Sequence, residues 1–314
     1  MGIHKIKILV LGADGFLGSN LVKALKDDKK YEILAFDLFP DGKARNLEGF
    51  DESLRMIQGN FLNRQDIREA LRNVEYVFHY VSASTPGSSM NDPLLEVNSN
   101  IQGSVVLFEE CVRAGVKRII FSSSGGAIYG NSGDESCNEE SPTNPISPYA
   151  IGKLSIEKFL EYFRVHFGLD YLILRYSNPY GPGQNIIGSQ GIIPIFLNLV
   201  KENKSINIFG DGNNLRDYIY VDDAINITKN IFQKKTVYRL YNIASGEGSR
   251  INDVIEIIKK VTGKKIVIEK FPKRKVDVRK INLDNSRIKN ELKYYKFLEL
   301  EKGIKKTWHW IKNQ

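Results

Sequence analysis

One short stretch constrains this chain more than any other. An apolar run, Ile6–Leu11, leads directly into Gly12-Ala13-Asp14-Gly15-Phe16-Leu17-Gly18, and a helical pattern follows over 16–27. A short run of that kind reads as a strand buried on both faces. Glycines at this strand-to-helix turn have separate tasks. Gly12 permits the tight turn, Gly15 lets main chain approach a pyrophosphate, and Gly18 lets the helix pack on the strand. The N–H groups and dipole at the helix start then hold negative charge. A glycine triplet alone says little; its place between a strand and a helix makes it a dinucleotide-phosphate signature.

The alternation continues. Further strands are expected over 32–37, 54–57, 74–79, 118–122 and 172–175, with helices over 63–71, 94–114 and Pro148–Phe167. This order predicts an α/β fold: a Rossmann-type, doubly wound parallel sheet with helices on both faces. Ligands are then expected beyond the carboxyl ends of the strands. After Arg175 the pattern breaks. Residues 176–215 are rich in Gly, Pro and Asn, with one helical stretch over 192–202. Strands at 219–221 and 239–243 flank a helix over 222–232, and beyond 250 come two helical patterns, a strand near 265–270 and a helix near 300–312. No internal repeat or low-complexity linker interrupts the chain.

A length of 314 residues suits two domains. We expect 1–178 and 216–246 to form the dinucleotide-binding domain, and 179–215 and 247–314 a smaller, interleaved α/β substrate domain. Two cysteines and four scattered histidines rule out a disulfide scaffold and give no support to a metal site. No apolar run approaches the ~18 residues a bilayer span requires, and a cytoplasmic location is expected. The net charge of +8 favours an anionic partner. It is unevenly placed: residues 250–314 hold 19 Lys+Arg and 8 Asp+Glu, whereas 1–249 are slightly acidic. No helix-turn-helix, zinc or RNA-binding signature accompanies it, so nucleic acid is not expected.

Three features carry chemistry. Asp37 closes the second strand; a carboxylate there can accept from ribose hydroxyls and would repel a 2′-phosphate, which favours NAD over NADP. Tyr149 and Lys153 stand four apart in a helical segment and so share one face. A phenol with an ordinary pKa near ~10 is a poor base at neutral pH, and a neighbouring ammonium favours its phenolate. Phe121-Ser122-Ser123-Ser124-Gly125-Gly126 puts hydroxyls at the carboxyl end of a strand, the edge where ligands bind.

These motifs together resemble the extended short-chain dehydrogenases/reductases, in particular the NAD-dependent nucleotide-sugar epimerase/dehydratase family. The resemblance spans almost the whole chain. It includes Asn100-Ile101-Gln102-Gly103, Leu174-Arg175-Tyr176-Ser177-Asn178-Pro179-Tyr180-Gly181, Gly210-Asp211-Gly212 and Arg216-Asp217-Tyr218-Ile219-Tyr220-Val221-Asp222-Asp223. It implies that Gly12, Gly15, Phe16, Leu17, Gly18, Asp37, Asn60, Phe61, Tyr80, Asn100, Ser122, Tyr149 and Lys153 face NAD. It makes Ser124, Tyr149 and Lys153 the catalytic set, with Ser123 the second choice for the hydroxyl. Asn178, Arg216 and Arg274 are implied as contacts of the nucleotide diphosphate, a role that suits the bidentate guanidinium. The long helices over 94–114 and Pro148–Phe167 resemble a family dimer interface, which implies a homodimer. Two positions depart from the pattern: Asn60 stands where an Asp is frequent, and His79-Tyr80-Val81-Ser82 replaces an alanine-rich turn.

Family dehydratases carry Asp-Glu after the strand hydroxyl, because elimination needs a second acid and base. Here Gly125-Gly126 stand instead, and neither can transfer a proton. The implied reaction is 4-epimerisation of a UDP-hexose through a transient 4-keto sugar. A bulky aromatic at the position of Ile281 tends to exclude N-acetylated sugars in family epimerases, and Ile281 is intermediate in size. UDP-Glc/UDP-Gal are therefore expected as substrates, with UDP-GlcNAc/UDP-GalNAc tolerated. The rival readings are a nucleotide-sugar reductase or dehydrogenase that releases an oxidised or reduced product, and a non-catalytic NAD-binding regulator. The acid pairs Glu109-Glu110, Glu139-Glu140 and Asp222-Asp223 read as solvated faces or caps.

Overall fold

The computed structural model describes residues 5–49, 54–131, 133, 136–188, 190–273, 278–294 and 296–314. Strands β1 (Ile6–Leu11), β2 (Tyr31–Asp37), β3 (Arg55–Gln58), β4 (Tyr76–His79), β5 (Arg118–Ser124) and β6 (Tyr171–Tyr176) come first. Between them lie helices α1 (Phe16–Leu25), α2 (Arg64–Ala70), α3 (Pro93–Leu95), α4 (Gln102–Ala114) and α5 (Pro148–Phe167). A π-helical segment, Glu96–Ile101, joins α3 to α4. Then follow β7 (Asn178–Tyr180), α6 (Ile192–Lys201), β8 (Ile206–Phe209), β9 (Leu215–Tyr220), α7 (Val221–Ile231), β10 (Leu240–Ile243) and β11 (Gly248–Arg250). The chain ends with α8 (Ile251–Thr262), β12 (Ile268–Phe271), β13 (Lys280–Ile281), α9 (Ser286–Leu292) and α10 (Leu300–Lys312).

The seven-stranded sheet has the order β10-β6-β5-β4-β1-β2-β3. Pairs β1–β2, β1–β4, β2–β3 and β4–β5 are parallel, as the βα alternation predicts. Strand order reverses at β1, which opens a crevice beyond the carboxyl ends of β1 and β4. Leu9, Leu11, Leu34, Phe36, Val77 and Phe121 pack on one sheet face against Ile67, Leu107, Phe108, Ile156 and Leu160 of α2, α4 and α5. Ile8 and Val10 are equally buried on the other face, so β1 is apolar throughout except near its solvent-facing start.

Cα packing divides the chain into two compact units. The first is Met1–Ser123, Ser147–Leu174 and Thr228–Leu240; the second is Ser124–Ile146, Arg175–Ile227 and Tyr241–Gln314. Relative to the expected boundaries, 124–146, 175–178, 216–227 and 241–246 go with the second unit. Their main-chain bonds explain it: Gly125 donates to Tyr176 O, Ser177 donates to Ile243 O, and β9 pairs with β7, β11 and β13. In that unit β8 and β12 form a separate parallel pair, and α10 packs on α6 and α8.

Local signals set the key helix. Ser147 accepts from Ala150 N–H as N-cap, Pro148 occupies the first turn, and Gly168 ends α5 at φ 71°. The single helix expected over 94–114 is instead α3, the π segment and α4. Strands β7, β8, β11 and β13 lie in segments that read as irregular, because each is only two to four residues long.

Candidate active site

The phosphate cradle is built as the glycines require. Gly12 adopts φ 76°, and a Cβ on it would lie 3.0 Å from the Tyr80–Val81 peptide that passes over it. A Cβ on Gly18 would lie 2.1 Å from Gly12 O, so α1 can meet the turn only through glycine. Above the turn opens a cavity of about 470 Å³. Gly12, Gly15, Asp37, Asn60, Phe61, Tyr80 and Asn100 all line it. Phe16, Leu17 and Gly18 are not part of its wall; they form the first turn of α1 beneath it. Volume, glycine cradle and helix start fit a dinucleotide, with NAD the cofactor these residues would hold.

Asp37 both shapes the turn and faces the cavity. Its Oδ2 accepts Asp14 N–H at 2.9 Å and its Oδ1 accepts Leu38 N–H at 2.8 Å, which leaves lone pairs for ribose hydroxyls. Asn60 accepts Leu62 N–H on Oδ1 at 2.9 Å, a local turn bond. Asp14, which the sequence reading passed over, anchors the cavity rim. Its carboxylate accepts the N–H groups of Arg45, Asn46 and Leu47, and its carbonyl accepts Asn46 Nδ2. An acid inside the phosphate turn gave no signal of this long-range role.

Tyr149 and Lys153 lie on α5, one turn apart. The Lys153 ammonium is 5.7 Å from the centre of the Tyr149 ring and 4.9 Å from that of Phe121. It donates to Ser122 O at 2.9 Å. Burial lowers its pKa to about 8, opposed by the charges of Glu96 and then Glu157. Of the strand hydroxyls, Ser123 Oγ is buried and donates to Glu157. Ser124 lies at the end of β5, where its carbonyl accepts Ile128 N–H. Gly125 is crowded: a Cβ would lie 2.4 Å from Leu283 Cδ1 and 3.0 Å from Arg175 O, so a side chain there would have to displace Leu283 and press on main chain.

The second unit holds its own cavity of about 400 Å³, lined by Asn178, Arg216, Tyr218, Asn207, Phe209 and Phe196 among others. Strand alternation explains the paired motif residues. Arg216 faces this cavity, while Asp217 is fully buried and accepts Ser245 N–H, Ser245 Oγ–H and Gly246 N–H at 2.9 Å each. Asn178 Nδ2 donates to Asp217 O at 2.9 Å, which fixes β7 beside β9. Arg274 lies outside the described residues. Ile281 pairs with Arg216 in β13 and is only 2% exposed; it is not part of this cavity's wall.

The acid pairs are not simply solvated. The side chain of one member of each is buried: Glu110 between Arg64, Arg68 and Arg113; Glu139 accepting Asn242 N–H; and Asp223 accepting Tyr294 Oη–H and Leu298 N–H. Their neighbours are more exposed, and sequence adjacency gave no hint of which would turn inward. Among the described residues no cluster of metal-ligating side chains occurs, and no helix is long and apolar enough to cross a membrane.

Comparison with known proteins agrees with this geometry. Residues 8–244 match the NAD-dependent epimerase/dehydratase family. A putative UDP-glucose 4-epimerase of Methanocaldococcus jannaschii is 31% identical over 308 residues, covering 98% of both chains. The crystal structure of a Thermotoga maritima UDP-glucose 4-epimerase with UDP-glucose superimposes with a TM-score of 0.90 at 35% identity, covering 98% of this chain and 99% of the other. A UDP-N-acetylglucosamine 4-epimerase of Methanobrevibacter ruminantium, in complex with UDP-N-acetylmuramic acid, has a TM-score of 0.90 at 32% identity, covering 99% of each chain.

Proposed function

The chain belongs to the NAD-dependent epimerase/dehydratase family, and we propose that it is an enzyme that inverts C4 of a UDP-hexose. The observation that carries this reading is Tyr149 and buried Lys153 one turn apart on α5, in a chain whose Gly125-Gly126 carry no acid after the strand hydroxyl. One proton carrier and no second acid suit epimerisation, not elimination. Bound NAD supplies reversible oxidation at C4. Tyr149 would take the C4 hydroxyl proton and later return it, with Ser124 bonding the same oxygen. Lys153 would favour the phenolate and bond the nicotinamide ribose. Asn178, Arg216 and Arg274 would hold the diphosphate, so that the 4-keto sugar can turn without leaving.

Ile281 is our candidate for the sugar-size gate. The relatives' names include both UDP-glucose and UDP-N-acetylglucosamine, and we read the pocket as tolerating both classes. Incubation with a nucleotide-sugar panel and NMR of the products tests the reaction. Conversion of UDP-glucose to UDP-galactose without added cofactor is expected, with Tyr149→Phe slower by about 10²–10⁴-fold. Near-normal turnover by that variant would sink the mechanism. Ile281→Tyr should lose the N-acetylated pair first.

We also read the molecule as a homodimer formed through α5. Ile151, Phe159, Tyr162 and Val165 are exposed along one side of this helix, Val165 to 60%. An apolar stripe of that length is uncommon on a monomer's surface. Self-association of one helix face suits a two-fold interface. Cell fractionation tests the cytoplasmic location that goes with this reading.

A further inference from the structure

Behind the cofactor cavity lies a carboxylate that the proposed chemistry does not use. Glu96 sits on the π-helical segment and is 1% exposed. Its Oε2 accepts from Asn100 Nδ2 at 2.9 Å and from Ser84 Oγ. Asn100, which lines the cavity, also accepts Ala83 N–H on Oδ1 at 2.9 Å. The other oxygen, Oε1, has no hydrogen-bond partner among the described residues. It is pressed on α5 at Gly152, where a Cβ would lie 2.1 Å from it. The next residue is Lys153.

A buried carboxylate oxygen without a donor is unfavourable unless charge compensates it. The ammonium on the following residue is the candidate. The other groups facing Lys153 can be enumerated. From β4 comes His79, which burial and then the Lys153 charge hold neutral, with a pKa of about 3. From β5 come the Phe121 ring and the Ser122 carbonyl, and from α5 itself Tyr149 and Glu157. Glu157 already takes the Ser123 hydroxyl. Of the two acids that favour the ammonium, Glu96 acts more strongly.

We propose that Glu96 is a positioning residue acting through Lys153: a carboxylate packed under α5 at Gly152, beside Lys153, and hydrogen-bonded to Asn100 on the cavity wall, that sets the surroundings of the ammonium. The π geometry fits that use, since such turns recur at functional sites. It also explains Gly152, a glycine well inside a helix, because any side chain there would displace the carboxylate.

The inference rests on the reading of Lys153 as the group that serves Tyr149, so the primary test does not need turnover. Lys153 is titrated by NMR in ¹³C-lysine-labelled protein, with its signal assigned through Lys153→Arg. In Glu96→Gln the Lys153 midpoint should fall by about one pH unit, a tenfold change in its ionisation constant. Glu96→Asp should lie between this variant and wild type. The alkaline limb of kcat should move to lower pH by the same interval, whereas a merely structural residue would lower kcat at every pH. An unmoved midpoint in Glu96→Gln overturns the proposal, because Glu96 would then carry no charge that Lys153 feels. If Glu96→Gln fails to fold, the neutral Glu96→Ala decides: a midpoint equal to wild type refutes it. A shifted midpoint in a protein that epimerises no nucleotide sugar would refute the functional reading and leave this one standing.

Discussion

The buried Lys153 ammonium has a thermodynamic signature separable from catalysis. Its pKa falls from 10.5 to about 8 because burial disfavours the charge. In the unfolded chain it titrates near the ordinary value. Between the two values the unfolded state binds more protons than the folded one, so stability rises with pH. Below about pH 8 both states are charged and folding bears the full desolvation cost; above 10.5 neither is charged. The whole interval corresponds to about 3.4 kcal/mol, at ~1.36 kcal/mol per pH unit. Lys153→Met keeps a long unbranched side chain and deletes the titration. Urea unfolding of both proteins from pH 6 to 9.5 gives two curves in which groups remote from Lys153 cancel on subtraction. The difference should be flat to about pH 7.5, then move about 2 kcal/mol in favour of wild type by pH 9.5. A difference that stays flat, or moves towards the variant, would show that Lys153 is not held in a desolvated site.

Other substitutions test other parts of the molecule. Gly18→Ala places a Cβ against Gly12 O and should weaken NAD binding at least about tenfold, or ~1.4 kcal/mol, by calorimetry; unchanged affinity would mean that the turn yields. Ser123→Ala removes a buried donor to Glu157 and should cost about 1–3 kcal/mol of stability with kcat retained. Ser124→Ala should do the reverse, lowering kcat by ~10²-fold with the melting temperature unchanged; the opposite pattern would exchange the two serines' roles. Val165→Glu on α5 should yield monomers by light scattering, and a persistent dimer would place the interface elsewhere.

The dinucleotide half of the fold was legible because its signals are local. The apolar run of β1, the glycine turn, the Ser147-Pro148 start and the Gly168 end of α5 each act within a few residues. Asp37 stands at the end of β2, where the pattern put it, for the same reason. What stayed hidden depends on contacts distant in sequence. Glu96 and Gly152 meet only after folding, as do Asp14 and residues 45–47. Glu110 reads like any charge on an exposed helix face until Arg64 and Arg68 of α2 come to it. The break in the expected 94–114 helix was equally invisible, since nothing in Glu96–Ile101 is a helix breaker by composition. Beyond residue 176, two-residue and three-residue strands lack the length over which alternation becomes a pattern.

The bonds from Asp14 to the N–H groups of Arg45, Asn46 and Leu47 have a consequence for how the cofactor comes and goes. The rim of the cavity is already ordered by the protein's own carboxylate, so an arriving dinucleotide need not immobilise that loop. Association then forfeits little chain entropy, which is how preorganisation raises affinity. The same bonds must be broken, or strained, for the loop to swing aside. An enzyme that regenerates its cofactor within each cycle has no need of that motion between turnovers.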